Sequence, residues 1–316
     1  MPYPIERKLV IAVSSSALFD LSESHAVFIK EGPKAYKEFQ ESNLNKTLEK
    51  GVAFPFIKRF LKINEKFKEQ SPVEVVLLSR NSAATGKRVF RSIKYYMLDI
   101  SRAAFMEGNS PYEYVPAFNT SLFLSANEKD ILRAIKAGFP AGVVLPSEVV
   151  NDDGGDELRI AFDFDGVIAD DEAEAVYKDQ NLTEFYKHET KKSEIPHQPG
   201  PLANLFKKLS FLQKLEDREV ERDRSYKRII KTAIITARNA PAHERVITTL
   251  ENWGGVSANA IFFLGGMAKE RILTKLKPHI FFDDQKSHLE SSVGDIPMVH
   301  IPFGIANRND TEKMKE

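Results

Sequence analysis

Leu158-Arg159-Ile160-Ala161-Phe162 runs directly into Asp163-Phe164-Asp165-Gly166-Val167. A short apolar run of this kind reads as a buried strand, and the glycine behind the acidic pair lets the chain turn sharply away from it. Ligands of open parallel sheets bind at the carboxyl ends of strands. Two carboxylates one residue apart at such an end suit magnesium-dependent phosphoryl transfer. Asp163 can attack phosphorus and ligate the metal, and Asp165 can act as general acid and base. Alone, the string is better read as a strand followed by an acidic turn, so the rest of the chain decides.

The downstream half alternates strands and helices, the pattern of a parallel α/β sheet. Strands are expected at 158–162, 232–235, 260–264 and 279–282, and helices at 171–178, 202–215, 242–253 and 269–276. Residues 216–231 are almost entirely charged and read as a solvated helix face. Four segments each bring one chemical part to a strand end. Asp163 and Asp165 come first. Thr236 follows, its hydroxyl and the backbone N–H groups of the turn at Ala237 suited to phosphate oxygens. Lys269, after Gly265-Gly266, offers a cation for the nucleophile and the phosphoryl group. Asp283-Asp284, past a buried strand, are poor folding choices unless they serve a cation, and magnesium prefers such hard oxygen ligands. Arg238 and Asn239, just after the threonine, are candidates for contact with phosphate or ribose.

In that order the set resembles the haloacid dehalogenase-like (HAD) phosphatases. The resemblance implies a doubly wound parallel sheet with a helical cap insertion, magnesium held by Asp163, Asp165, Asp283 and Asp284, and an aspartyl-phosphate intermediate on Asp163. Further strings cover nearly the whole chain: Ile11-Ala12-Val13-Ser14-Ser15, Gly108-Asn109-Ser110-Pro111, Asn119-Thr120-Ser121-Leu122-Phe123-Leu124-Ser125, Asp170-Asp171-Glu172-Ala173-Glu174, Trp253-Gly254 and Pro278-His279-Ile280-Phe281-Phe282-Asp283-Asp284-Gln285. They resemble the cytosolic type I 5'-nucleotidases, which implies hydrolysis of nucleoside 5'-monophosphates. Asn109, Ser110, Asn119 and Thr120 belong to these strings and are further candidates for nucleoside contact. One departure is visible: the family pattern has glycine between the two motif aspartates, where Phe164 stands here with a side chain expected to point outward. A phosphatase for another small phosphomonoester and a nucleoside phosphotransferase are the enzymatic alternatives; a nucleotide-binding regulatory protein is the non-enzymatic one.

The upstream half repeats the plan. Ile11-Ala12-Val13-Ser14-Ser15-Ser16-Ala17-Leu18 aligns with Ile160-Ala161-Phe162-Asp163-Phe164-Asp165-Gly166-Val167, Val75–Asn81 with Ala233–Asn239, and Phe123-Leu124 with Lys129 against Phe263-Leu264 with Lys269. This reads as an internal duplication. Residues 1–150 then form a degenerate α/β half with serines for both motif carboxylates, and 151–316 the catalytic domain. The long span between Asp163 and Thr236 exceeds the ~10–12 residues a crossover needs, so a cap is expected over about 179–230, including 202–215.

Composition narrows the partners. The 45 basic and 45 acidic residues cancel, so nothing global favours nucleic acid or an anionic membrane. The absence of cysteine excludes disulfides, thiolate zinc sites and cysteine nucleophiles. The amino-terminal apolar run is too short for a secretory leader and no run approaches a membrane span. The expectation is a cytoplasmic protein that binds magnesium and a nucleoside monophosphate, with self-association left open. The seven histidines show no metal-ligand spacing.

Overall fold

Strands that are apolar on both faces must be covered on both faces, and all five residues of Leu9–Val13 and all seven of Val73–Ser79 are buried. The computed structural model describes residues 4–148, 155–290 and 296–308; the boundary expected at 150/151 lies outside them. In chain order the upstream half has β1 (Leu9–Val13), α1 (Ser15–Leu18), α2 (Ser22–Ser42), α3 (Phe54–Lys66), β2 (Val73–Ser79), α4 (Ala83–Tyr95), β3 (Arg102–Phe105), β4 (Thr120–Ser125), α5 (Glu128–Lys136) and β5 (Ala141–Val144). The downstream half has β6 (Leu158–Phe162), α6 (Glu172–Asp179), α7 (Leu182–Lys191), α8 (Ala203–Arg222), β7 (Ile230–Thr236), α9 (His243–Asn252), β8 (Ala260–Phe263), α10 (Glu270–Leu276), β9 (Ile280–Asp283), α11 (Lys286–Glu290) and β10 (Met298–His300).

These strands form one sheet in the order β3-β2-β1-β4-β5-β10-β9-β6-β7-β8. Counted from its own first strand, each half has the same order, and neighbours within a half are parallel. The halves meet at β5 and β10, which pair antiparallel through Val144–Val299 and Val143–His300. The turns repeat too. Ser14 N–H donates to Leu124 O and Asp163 N–H to Phe282 O, both at 2.8 Å. The Ser79 hydroxyl accepts from Asn81 N–H at 3.1 Å, as Thr236 does from Arg238 N–H at 3.2 Å.

This geometry corrects two of the expected alignments. Ser79, rather than Leu78, occupies the place of Thr236, because sheet register and not string similarity decides which residue ends the strand. The segment at Phe123-Leu124 matches Phe281-Phe282 on β9, not Phe263-Leu264; the place of β8 is taken by β3. The antiparallel seam also turns the carboxyl ends of the two halves in opposite directions. Ser14 is five strands from Asp163, ~24 Å at ~4.8 Å per strand. Asn109 and Ser110 follow β3 on the upstream edge, where Ser110 donates to Asp130. Asn119 and Thr120 stand at the amino end of β4, with the Asn119 amide bonded to Ile5 O at 3.2 Å. The structure brings none of the four to the strand ends that carry Asp163, Thr236 and Asp283.

Helices cover both faces. On one, a continuous core crosses the seam and joins Ile11, Phe56, Phe60 and Val75 to Phe162, Leu205, Phe206 and Phe282. On the other, separate clusters lie under each half. α8 belongs to the shared core: Leu205, Phe206, Leu209 and Leu212 are buried, and the Phe206 ring meets Phe162 edge to face at 5.4 Å. Residues 202–215 are therefore a crossover helix on the sheet and not part of a cap, because a helix with so wide an apolar stripe has to bury it. The elements left over the strand ends are α6 and α7, whose Ala173 and Phe185 cluster with Ala242.

The charged stretch after Leu215 is only partly solvated. Glu216 is fully buried and accepts from Ile229 N–H at 2.6 Å, Ile230 N–H at 3.2 Å and the Tyr226 hydroxyl at 3.1 Å. It satisfies the backbone donors that open β7. Glu216→Leu leaves those donors without a partner in an apolar setting, and urea denaturation is expected to show a loss of about 2–4 kcal/mol. Unchanged stability would mean that water replaces the carboxylate.

Candidate active site

The site is built by strand register. Phe162 pairs with Phe282 on one side and Ile234 on the other, so Asp163 comes level with Asp283 and Thr236 ends the neighbouring strand one residue further on. Asp163, Thr236, Lys269, Asp283 and Asp284 are all at most 5% exposed. Lys269 Nζ lies 2.6 Å from Asp163 Oδ2 and 2.6 Å from Asp283 Oδ2. Asp163 Oδ1 accepts from Phe164 N–H at 2.7 Å, and Asp283 Oδ1 from Gln285 N–H at 2.9 Å. The Gly265-Gly266 turn, both residues at positive φ, closes on the carbonyls of Arg238 and Ala237 and sets the start of α10 beneath Lys269. The structure thus gathers Asp163, Lys269 and Asp283 into direct contact and places Thr236 and Ala237 beside them.

Burial dominates the electrostatics. It pushes the Asp163 carboxyl up to about 7, with Lys269 opposing and Asp283 adding. It works against the Lys269 ammonium as well, but Asp163 and Asp283 outweigh it and keep the charge. Asp283 is also buried, yet Lys269 and His288 hold its carboxyl below the ordinary range. Asp284 has too little such help from Lys269. Burial, and then Asp163 and Glu174, raise its carboxyl well above the usual value. Both its side-chain oxygens are buried without a hydrogen-bond partner. Its backbone carbonyl accepts from Asn307 at 2.9 Å, so the carboxylate is held in place. Gly166, at φ +68°, allows this approach; a Cβ there would lie 2.6 Å from Asp284 Oδ2. A buried carboxylate with two orphaned oxygens beside a second carboxylate fits a hard divalent cation.

Asp165 is engaged elsewhere. Arg238 Nε and Nη2 each donate to it at 2.7 Å. Arg238 Nη1 donates to Glu189 and to Ala242 O, and Nη2 also reaches His197 Nε2 at 3.0 Å. The expected contact of Arg238 with phosphate or ribose is therefore not what the structure shows: four of its N–H groups donate to Asp165, Glu189 and Ala242 O, and the His197 ring stands against Nη2. Asn239 accepts from the Tyr186 hydroxyl at 2.7 Å and so joins α7 to this turn. Phe164 does not point outward. It is fully buried, its ring against His197 and beneath the Arg238 guanidinium.

Sequence reasoning missed Glu189, His197, Arg245 and His288. His288 Nδ1 stands 3.1 Å from Asp283, and its ring nitrogen, Asp163 and Asp283 lie within 4.8 Å of one another. Asp170, Glu172 and His197 group similarly, but Lys192 and Arg245 already neutralise Glu172. These residues have no mutual spacing along the chain that would mark them.

Burial alone would raise the Glu172 carboxyl; Lys192 and Arg245 more than offset that and lower it from 4.5 to about 2. A depressed carboxyl stabilises the fold fully above its unfolded value and loses that contribution as pH falls through its folded one. Glu172→Gln is expected to lower the urea midpoint near neutrality and to flatten its decline between pH 4.5 and about 2. Parallel curves for the two proteins would show that these ion pairs do not stabilise the fold.

Comparison with known proteins agrees with this geometry. A family model described as 5'-nucleotidase matches residues 1–308. Cytosolic 5'-nucleotidase 1B of Homo sapiens is 33% identical over 299 residues, covering 92% of this chain and 48% of that protein. The chain spans about half the length of this curated relative. With the ordered strand-end residues in place and the match running nearly end to end, the chain belongs to the 5'-nucleotidase family.

Proposed function

We propose that this protein is a magnesium-dependent phosphatase that hydrolyses nucleoside 5'-monophosphates to nucleoside and phosphate. The observation that carries the reading is the buried group of Asp163, Lys269, Asp283 and Asp284, in which one ammonium serves two carboxylates and the third has no partner. Asp163, Asp284 and the Asp165 carbonyl would hold magnesium, while Asp283 anchors Lys269 and His288. When bound, the ion withdraws charge from the phosphoryl oxygens.

Asp163 attacks phosphorus and forms an aspartyl phosphate as the bond to the ribose 5'-oxygen breaks; Asp165 delivers the proton that this oxygen takes. Water then attacks the phosphorus, Asp165 accepts its proton, and phosphate leaves with Asp163 restored. Lys269, the Thr236 hydroxyl and the Ala237 N–H hold the phosphoryl oxygens. Among the described residues no helix is long and apolar enough to cross a membrane. The name of the human relative suits a cytoplasmic setting, which we extend to this chain.

The repeated strand order supports reading the upstream half as a duplicate that has lost its chemistry. Ser14 and Ser16 stand where Asp163 and Asp165 stand, and neutral hydroxyls are poor magnesium ligands.

Phosphate release from a panel of nucleoside monophosphates, with and without magnesium, tests the function. Asp163→Asn should abolish release while circular dichroism stays native; turnover within tenfold of wild type would refute the nucleophile. Ser14→Ala with Ser16→Ala should leave release within about threefold, because those residues stand five strands from Asp163. Loss of metal-dependent release in that folded double variant would place chemistry upstream.

A further inference from the structure

We propose that Arg238 is the positioning residue for Asp165, and that Glu189 on α7 fixes Arg238 in that task. The proposal rests on the acid/base reading of Asp165. Arg238 is 4% exposed, and its guanidinium meets the Asp165 carboxylate side-on through two donors at 2.7 Å. A planar fork that engages both oxygens sets the rotation of a carboxylate as well as its place. Arg238 is itself over-determined. Phe164 and Phe185 lie on it with ring centres 5.4 and 5.6 Å from Cζ, Glu189 takes Nη1, and Arg245 holds the far side of Glu189 at 2.8 Å. Phe164, the residue that departs from the family pattern, thus forms one wall of the clamp.

The molecule contains its own control. In the upstream half Arg88 donates through Nε to Lys46 O at 2.9 Å, as Arg245 does to Ile195 O at 2.8 Å. Leu48 N–H bonds Ser92, as His197 N–H bonds Thr249, both at 3.0 Å. The frame is therefore the same, yet Ser16, Gln40, Leu48 and Asn81 stand in the places of Asp165, Glu189, His197 and Arg238. Gln40 still bonds Arg88 at 3.3 Å. One half thus builds this frame with neutral residues at the places of Asp165, Glu189, His197 and Arg238, while Arg88 keeps the charge of Arg245. Buried charges at those places cost desolvation and are often replaceable by neutral residues without loss of stability. They occur in the half that carries Asp163 and Asp165, which assigns them to the chemistry of that half.

The test compares two substrates with magnesium present: a nucleoside monophosphate, whose ribose oxygen needs a proton to leave, and an aryl phosphate, whose leaving group is already acidic. Asp165→Asn is the reference and should lose at least about tenfold more on the nucleotide than on the aryl phosphate, a part of the roughly 10²–10⁴-fold that general acid catalysis supplies. Arg238→Gln should show the same bias, and adding it to Asp165→Asn should slow nucleotide turnover by less than about threefold, as for residues acting as a unit. Arg238→Lys, which keeps charge but lacks the fork, should remain biased. If Arg238→Gln does not fold, Glu189→Gln serves in its place, since Gln40 already fills the corresponding position; it should show a smaller bias of the same sign. Equal losses on both substrates, or multiplicative losses in the double variant, would overturn the proposal. Absence of bias in Asp165→Asn itself would instead refute the acid/base reading on which it rests.

Discussion

Burial of like charge is the constraint around which this structure is arranged. Asp163, Asp283 and Asp284 lie at the ends of adjacent strands, almost wholly out of solvent. Two carboxylates ~4 Å apart repel by about 4 kcal/mol even at an effective dielectric of ~20, and each also gives up hydration. Lys269 answers this for two of them, and because it opens α10 its reach is set by the Gly265-Gly266 turn. Asp284 stays uncompensated, its orphaned oxygens against Gly166. A fold with only modest net stability keeps such a group where a ligand that binds the native state offsets the cost.

A second ring of charge surrounds this centre. Asp165, Arg238, Glu189, Arg245 and Glu172 alternate in sign from the strand ends into α7 and α6. In a low-dielectric interior each member depends on its neighbours, so the helices over the site and Asp165 are linked by one network. The matched positions upstream are mostly neutral, and there α2 is kinked at Gly32, φ +85°, where the chain passes between α6 and α7 downstream.

The seam between β5 and β10 organises the molecule at a larger scale. Two short edge strands pair antiparallel and remove two sheet edges that would otherwise invite association. Arg59 of α3, 1% exposed, binds the carbonyls of Gly155 and Glu157 ahead of β6. In return Lys208 of α8 reaches Lys8 O and the Ser121 hydroxyl. Each half thus holds the other, although their strand ends face opposite ways.

What could be read from the chain alone was whatever depends on local order. Asp163 after an apolar run, Thr236 after another and Asp283-Asp284 after a third identify strand ends, because buried parallel strands have to be apolar on both faces and their carboxyl ends carry the polar groups. The division of labour among those residues was not legible. Asp283 and Asp284 are chemically alike, and only the placement of Lys269, His288 and Gln285 makes one an anchor and leaves the other without partners. Arg238 was a candidate for substrate contact; its engagement by protein depends on Glu189 and His197, which approach from elsewhere in the chain. The stripe of Leu205, Phe206 and Leu209 declared a helix but not its resting place, since an amphipathic helix states that it must bury a face and not against what. The sequence by itself determined which polar residues stand at the strand ends, and the family. The tertiary structure decided the opposed facing of the two halves and the partner of each charge, because both follow from contacts between residues far apart along the chain.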